Sequence, residues 1–99
     1  AEAGSRSPVK ADPAAGQLLV SLRIDSEAVV RSNCIWALGR LMDQLVQPRQ
    51  AEIVEALVSA LLHDGEISVR DEARTALEQL EDPLVLERLQ ALINDGFIL

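Results

Sequence analysis

The chain repeats part of its own sequence, and this internal repetition is the feature that most restricts its possible folds. A shift of 39 residues places DSEAVVRSNCIWALGRL, residues 25–41, on DGEISVRDEARTALEQL, residues 64–80, with seven identities in seventeen positions. A shift of 31 residues places SALLHDG, residues 59–65, on QALINDG, residues 90–96. Periods of this length are the sequence signature of solenoids and related repeat architectures.

A third shift agrees with the first two. Their sum, 70 residues, superposes Asp12-Pro13 on Asp82-Pro83. The basic period is therefore about 31 residues, and the first unit carries eight extra residues, DQLVQPRQ at 43–50. The result is roughly two and a half units, fewer than the three or so that a repeat array usually needs to bury its faces.

Local chemistry indicates that the repeated unit is helical. Apolar residues recur at the i, i+4, i+7, i+8 and i+11 spacing of a helix face, and an Asp-Pro pair is a typical N-cap followed by a first-turn proline. Aromatic residues make up only 2 % of the chain, which disfavours a β-sandwich or barrel. The sequence predicts an all-α domain at 12–99 behind a disordered tail or linker, residues 1–11. The five predicted helices span about 13–24, 27–42, 49–63, 67–81 and 83–94.

Charge and cysteine content narrow the classes of partner. Sixteen acidic residues stand against nine basic ones, for a net charge of −7. Nucleic acids and anionic membrane surfaces are bound through Lys and Arg, so neither is an expected partner. Cys34 is the single cysteine and cannot form an internal disulfide, which favours a reducing compartment, the cytoplasm. No apolar run approaches the length of a membrane-spanning helix.

The repeated pattern resembles a known family. Asp-x(4)-Val-Arg-x(2)-[Ala/Cys]-x(2)-Ala-Leu-x(2)-Leu occurs twice and resembles the HEAT repeat, and the short period is most similar to the HEAT-like repeats of phycobilisome-lyase-type proteins. The resemblance implies an α-solenoid of antiparallel helix pairs whose second helices line a concave face. It also implies a structural Arg–Asp ladder between repeats. The residues assigned to this ladder are Asp25, Arg31, Asp64 and Arg70.

Candidate catalytic and metal-binding residues have simpler structural interpretations. Cys34 occupies the slot that Ala73 fills in the second repeat, which favours a buried core residue over a nucleophile or bilin attachment point. The single histidine, His63, falls at a predicted helix end, where a cation suits the helix dipole. The Arg residues of the ladder could instead clamp an anion, but their recurrence favours pairing with carboxylates. The sequence therefore predicts no catalytic site, no metal and no cofactor.

Binding residues are expected where the repeats differ. Trp36 aligns with Thr75 of the other repeat. It is either an exposed interface anchor or a side chain lying across a groove between helices. The insertion at 43–50 is a further candidate contact. A strip facing outward from the second helices is acidic at its centre and apolar at its flanks. Its candidate partner-binding residues are Glu52, Glu55, Ser59, Leu86 and Gln90.

Three functional hypotheses follow from the sequence. The first is a non-catalytic scaffold, such as an assembly or maturation factor, that binds a basic or amphipathic protein segment. The second is an accessory part of a phycobilin lyase or isomerase. The third is a structural piece of a longer solenoid, whose exposed ends would permit self-association.

Overall fold

The computed structural model describes residues 8–96, which form five α-helices. A short 3-10 turn, Met42–Gln44, lies between the second and third helices, and the described residues contain no strand. The prediction of an all-α chain with five helices is confirmed. The helices are α1 (Pro8–Ile24), α2 (Ala28–Leu41), α3 (Gln47–His63), α4 (Ile67–Gln79) and α5 (Pro83–Asn94).

The helices stack in two layers, as expected for an α-solenoid. α1 packs along α2, and α3 packs along α4, so each short turn joins two neighbouring helices. α2 also packs along α4 and forms one layer with it, while α1 contacts α3 in the other layer. α5 extends this second layer, since it contacts α4 and its Arg88 pairs with Glu55 of α3. The apolar core lies between the layers. Its largest fully buried side chains are Leu19, Ile35, Leu38, Ile53, Leu57, Val69 and Leu77.

The first helix begins earlier than the sequence predicts. α1 starts at Pro8, so Asp12 and Pro13 lie inside the helix, and their assignment as its N-cap and first residue is wrong. α1 and α3 are both 17 residues long, and their first and last residues coincide at the shift of 39 residues. In length and boundaries α1 is therefore the equivalent of α3 rather than of the shorter α5. Of the predicted tail, residues 1–7 lie outside the described residues, whereas 8–11 are helical.

The eight inserted residues form a defined structure. Met42–Gln44 forms the 3-10 turn, in which the backbone N–H of Leu45 donates to the carbonyl oxygen of Met42. The side chain of Gln50 donates to the same carbonyl at 2.7 Å and ties the turn to α3. Residues 47–50 form the N-terminal end of α3, with Pro48 in its first turn and Val46 as its N-cap.

Local capping explains the boundary between α4 and α5. Asp82 is the N-cap of α5 and accepts hydrogen bonds from the backbone N–H groups of Leu84 and Val85, so the predicted cap is confirmed. Glu81 precedes it with a φ of 54°, in the left-handed region that a residue just after a helix often adopts. A non-glycine residue is strained there.

None of the helices in the described part of the chain combines the length and the apolar character that crossing a membrane would require.

Candidate binding surfaces

One bidentate ion pair of the predicted ladder joins consecutive repeats. The Nε of Arg31 donates to Oδ2 of Asp64 at 2.9 Å, and Nη2 donates to Oδ1 at 3.0 Å. The third guanidinium nitrogen, Nη1, donates to the backbone oxygen of Asp25 at 2.9 Å. The Arg31 and Asp64 side chains are only 16 % and 9 % exposed. Arg31 therefore fastens α2 to the turn that precedes α4.

Asp64 also organises its own turn. Its Oδ1 accepts from the backbone N–H of Glu66, and its backbone oxygen accepts from Nη1 of Arg70 at 2.8 Å. The hydrogen bond from Arg31 holds the pKa of Asp64 below its ordinary value, although burial acts in the opposite direction. The structure therefore uses these residues to position helices, and Arg31 is occupied by a carboxylate of the same chain rather than presented to an external anion.

Glu52, at the centre of the predicted strip, is paired with arginines of the same chain. Arg49 donates to Oε1 of Glu52 at 2.8 Å, and Arg23 of α1 approaches Oε2 at 3.8 Å. Arg49 also makes a bidentate pair with Asp12, with distances of 2.8 and 3.1 Å. This pair lowers the pKa of Asp12 and joins α1 to α3.

Glu55 is likewise paired, with Arg88 of α5, which donates to both of its carboxylate oxygens. Hydrogen bonding from Arg88 lowers the pKa of Glu55. Ser59 lies four residues, about one helical turn, beyond Glu55 on α3. It lines a shallow depression of about 240 Å³ that His63 also lines. The charge of Glu52 and Glu55 is thus largely compensated, which the sequence-based interpretation of this strip as acidic did not anticipate.

The two predicted strip residues on α5 are exposed. Leu86 is 41 % exposed, and the side chain of Gln90 donates to Asn94 at 3.0 Å within the same helix. The structure therefore places the five strip candidates on the α1, α3 and α5 layer, with inter-helix ion pairs through their centre.

Trp36 lies on the opposite layer, at the rim of a groove between α2 and α4. Its side chain is 56 % exposed, and the guanidinium carbon of Arg40 stands 5.0 Å from the ring centroid in a cation–π arrangement. Gly39, Ala76 and Glu72 line the adjoining part of the groove, whose volume is about 200 Å³. The ring therefore borders an inter-helix groove and remains exposed, and its role as an interface anchor stays a prediction.

A larger depression of about 490 Å³ continues this groove toward the insertion. The two parts share four lining residues, namely Gly39, Arg40, Gln79 and Leu80. The larger part is bounded by Met42, by Asp43 of the insertion, and by Asp82 and Val85 at the start of α5. We call the whole feature, from Trp36 to Val85, the α2/α4 groove. It brings together two features, Trp36 and the insertion, that the sequence alone does not connect.

Gly39 lines both parts of the groove. A Cβ built on it would stand 3.8 Å from the Cβ of Ala76, an ordinary van der Waals contact, so a small side chain would fit there. Because glycine has no side chain, nothing at this position fills the floor between the two parts. A sequence-based signal was available, since Gly39 replaces the Glu78 of the other repeat.

Cys34 and His63 do not form a reactive pair in the structure. Cys34 is buried in the core, and burial raises the pKa of its thiol. His63 is the last residue of α3 and is exposed. Within residues 8–96, no group of three or more His, Cys, Asp and Glu side chains is arranged to hold a metal ion.

Comparison with known proteins identifies a family of repeat proteins. A family model described as HEAT repeats matches residues 13–97. No curated protein and no solved structure matches the chain.

Proposed function

Because this chain belongs to the HEAT-repeat family, we propose that it is a non-catalytic interaction scaffold that holds a segment of another protein in the α2/α4 groove. HEAT repeats commonly serve as protein-interaction scaffolds. The repeated residues of this chain are used for packing and for the Arg31–Asp64 pair, so binding falls to the positions at which the repeats differ.

The observation that carries the proposal is the exposed Trp36 at the rim of a preformed groove. Tryptophan is enriched among the residues that dominate binding energy at protein interfaces, because a large ring is buried at little conformational cost. The Arg40 guanidinium already restrains the ring, which further reduces the entropy lost on binding. The insertion supplies a second wall in the same groove.

The strip on α3 and α5 is proposed as a secondary contact surface. Glu52 and Glu55 would have to exchange their arginine partners for those of a ligand, and such an exchange gains little free energy at exposed positions. Ser59, Leu86 and Gln90 carry no charge and remain available beside them. This surface supports the main contact in the groove.

Affinity capture with Trp36→Ala and the matched Val29→Ala tests the proposal. Val29 is also exposed on α2 but lies outside the groove. After a captured partner has been identified and purified, its affinity for each variant is measured by calorimetry. Trp36→Ala is expected to weaken binding about thirtyfold or more, as for an interface hot spot, and Val29→Ala to change it less than about threefold. Equal affinities for both variants would contradict the proposal.

The short repeat period supports one alternative, an accessory role in a bilin lyase or isomerase. Cys34 is a poor bilin attachment point because it is buried and its thiol pKa is raised, so such a role would rest on holding other subunits. Incubation with a bilin and a phycobiliprotein subunit, followed by absorption spectra, tests this alternative. An unchanged spectrum would remove it.

The scaffold is expected to act in the cytoplasm, where Cys34 would stay reduced. Self-association through the solenoid ends remains a proposal as well. Light scattering over a dilution series tests it, and a mass that does not change with concentration would refute it.

A further inference from the structure

We infer that the segment bound in the α2/α4 groove is basic and amphipathic, with Lys or Arg side chains beside apolar ones. The inference rests on the proposed function and specifies the partner of the same groove. It locates the basic contact in the α2/α4 groove rather than at the paired carboxylates of Glu52 and Glu55 on α3.

The charges that line the groove are mainly negative. Glu72, Asp43 and Asp82 contribute carboxylates, and Arg40 is the single cation among the described lining residues. Arg40 is held over the ring of Trp36 rather than in an ion pair with one of these carboxylates. The net charge of −7 on the chain adds a long-range attraction for a basic segment.

The carboxylate of Asp82 can accept from a ligand while it caps α5. The backbone N–H groups of Leu84 and Val85 both donate to its Oδ1, at 2.9 and 3.4 Å. Its second oxygen, Oδ2, is therefore the acceptor that can face a cationic side chain. Asp43 is exposed on the opposite wall, in the 3-10 turn of the insertion.

This arrangement differs from that of the α3 strip. There, Glu52 and Glu55 already receive hydrogen bonds from Arg49 and Arg88. A basic ligand at that strip would have to break existing ion pairs, whereas in the groove it would add new ones. Charge complementarity thus favours the groove as the site for a basic segment.

Apolar surface between the charges explains the amphipathic requirement. Met42, Val54 and Leu80 are partly buried against the core and line the groove floor, and Trp36 stands at its rim. A segment whose apolar residues cover this floor would place cationic side chains near the carboxylates on both walls. Burial of apolar area would supply affinity, and charge pairing would supply orientation and specificity.

Two synthetic peptides test the inference. One is a short amphipathic helix of Leu, Ala and Lys that carries a fluorescein label, and the other has every Lys replaced by Glu. Fluorescence anisotropy gives the affinity, and the emission of Trp36, the only tryptophan, reports whether the ring is covered. The Lys peptide is expected to bind at least about tenfold more tightly, to lose affinity as salt is raised, and to shift the Trp36 emission.

Two double variants distinguish binding of the peptide in the groove from a general attraction to an acidic protein. Asp43→Asn with Glu72→Gln removes two charges from the groove, and Asp71→Asn with Glu87→Gln removes two exposed charges elsewhere. The first double variant is expected to lower the affinity for the Lys peptide about tenfold, and the second to lower it less than about twofold. Thermal melts verify that both variants are folded.

Two results would overturn the inference. If both double variants weaken the Lys peptide equally, the attraction is not specific to the groove. If the Glu peptide binds as tightly as the Lys peptide, charge does not select the partner. Either result leaves the proposed function standing as long as Trp36→Ala still weakens the identified partner, so the two failures can be told apart.

Discussion

Replacing Arg31 by Met should remove the least exposed of the described ion pairs that join the two repeats. The substitution deletes two charge-assisted hydrogen bonds to Asp64 and one to the backbone oxygen of Asp25 while keeping a long apolar side chain. It leaves a carboxylate that is only 9 % exposed without its cation. Losing one partner of such a pair typically costs about 3 kcal/mol of unfolding free energy. For a domain of this size, that corresponds to a fall in Tm of roughly 12–24 °C.

The assay is chemical denaturation followed by circular dichroism, with two comparison variants. Arg31→Lys keeps the charge but loses the bidentate geometry, and should fall between the wild type and Arg31→Met. Arg88→Met removes the partner of Glu55, where the side chains are 43 % and 63 % exposed, and should cost less than about 1 kcal/mol. Arg88 is therefore a matched control for the loss of an arginine from an inter-helix pair.

A double-mutant cycle isolates the pair itself. Combining Arg31→Met with Asp64→Asn should give a coupling energy of about 1–3 kcal/mol, since the second substitution has less left to remove. A coupling energy near zero, or equal destabilisation by Arg31→Met and Arg88→Met, would refute the reasoning that burial makes the Arg31–Asp64 pair the stronger one.

Three further predictions concern single residues. The hydrogen bond from Arg31 lowers the pKa of Asp64 in the folded protein, so the ionised carboxylate contributes its full stabilisation above the ordinary pKa of 3.8 and loses it as the pH falls through the lower folded pKa. The free energy of unfolding should therefore drop more steeply below about pH 4 in the wild type than in Arg31→Met. Acid titrations that run parallel for the two proteins would contradict this. Glu81→Gly should raise the unfolding free energy by about 1 kcal/mol, because it relieves a φ of 54°, and a loss of stability in denaturant titration would count against it. Cys34 is buried with a raised thiol pKa, so a thiol reagent should label it at least about a hundredfold more slowly in the native protein than in denaturant, and equal rates would show that the core position is wrong.

The sequence predicts the repeated helices well because their determinants are local or recur at the same spacing. Val69, Ala73 and Leu77 are buried in α4, as the helix periodicity requires, and the Asp82 cap of α5 forms as predicted. The start of α1 could not be derived in this way, because Asp12 shares the Asp-Pro pattern of Asp82 but is bound by Arg49 from another helix.

The candidate surfaces depend on contacts between helices and were harder to predict. Glu52 and Glu55 have the outward spacing of a binding strip, yet the register of the neighbouring helices brings Arg23 and Arg88 to them. Trp36 could be singled out because its repeat equivalent is Thr75. The proximity of Trp36 to the insertion could not be predicted, because the groove that joins them is formed by the packing of α2 against α4.

The position of Asp64 has a consequence for how the chain responds to mechanical load. Its side chain binds α2 through Arg31 and the start of α4 through Glu66, while its backbone binds Arg70. Repeat units that contact only their neighbours can detach one at a time, because each interface fails separately. Here a force that peels α1 and α2 away from α3 and α4 must break the Arg31 hydrogen bonds and disturb the turn at Asp64 in the same event. We therefore expect stretching to separate α1 and α2 from α3 and α4 only when the hydrogen bonds between Arg31 and Asp64 break.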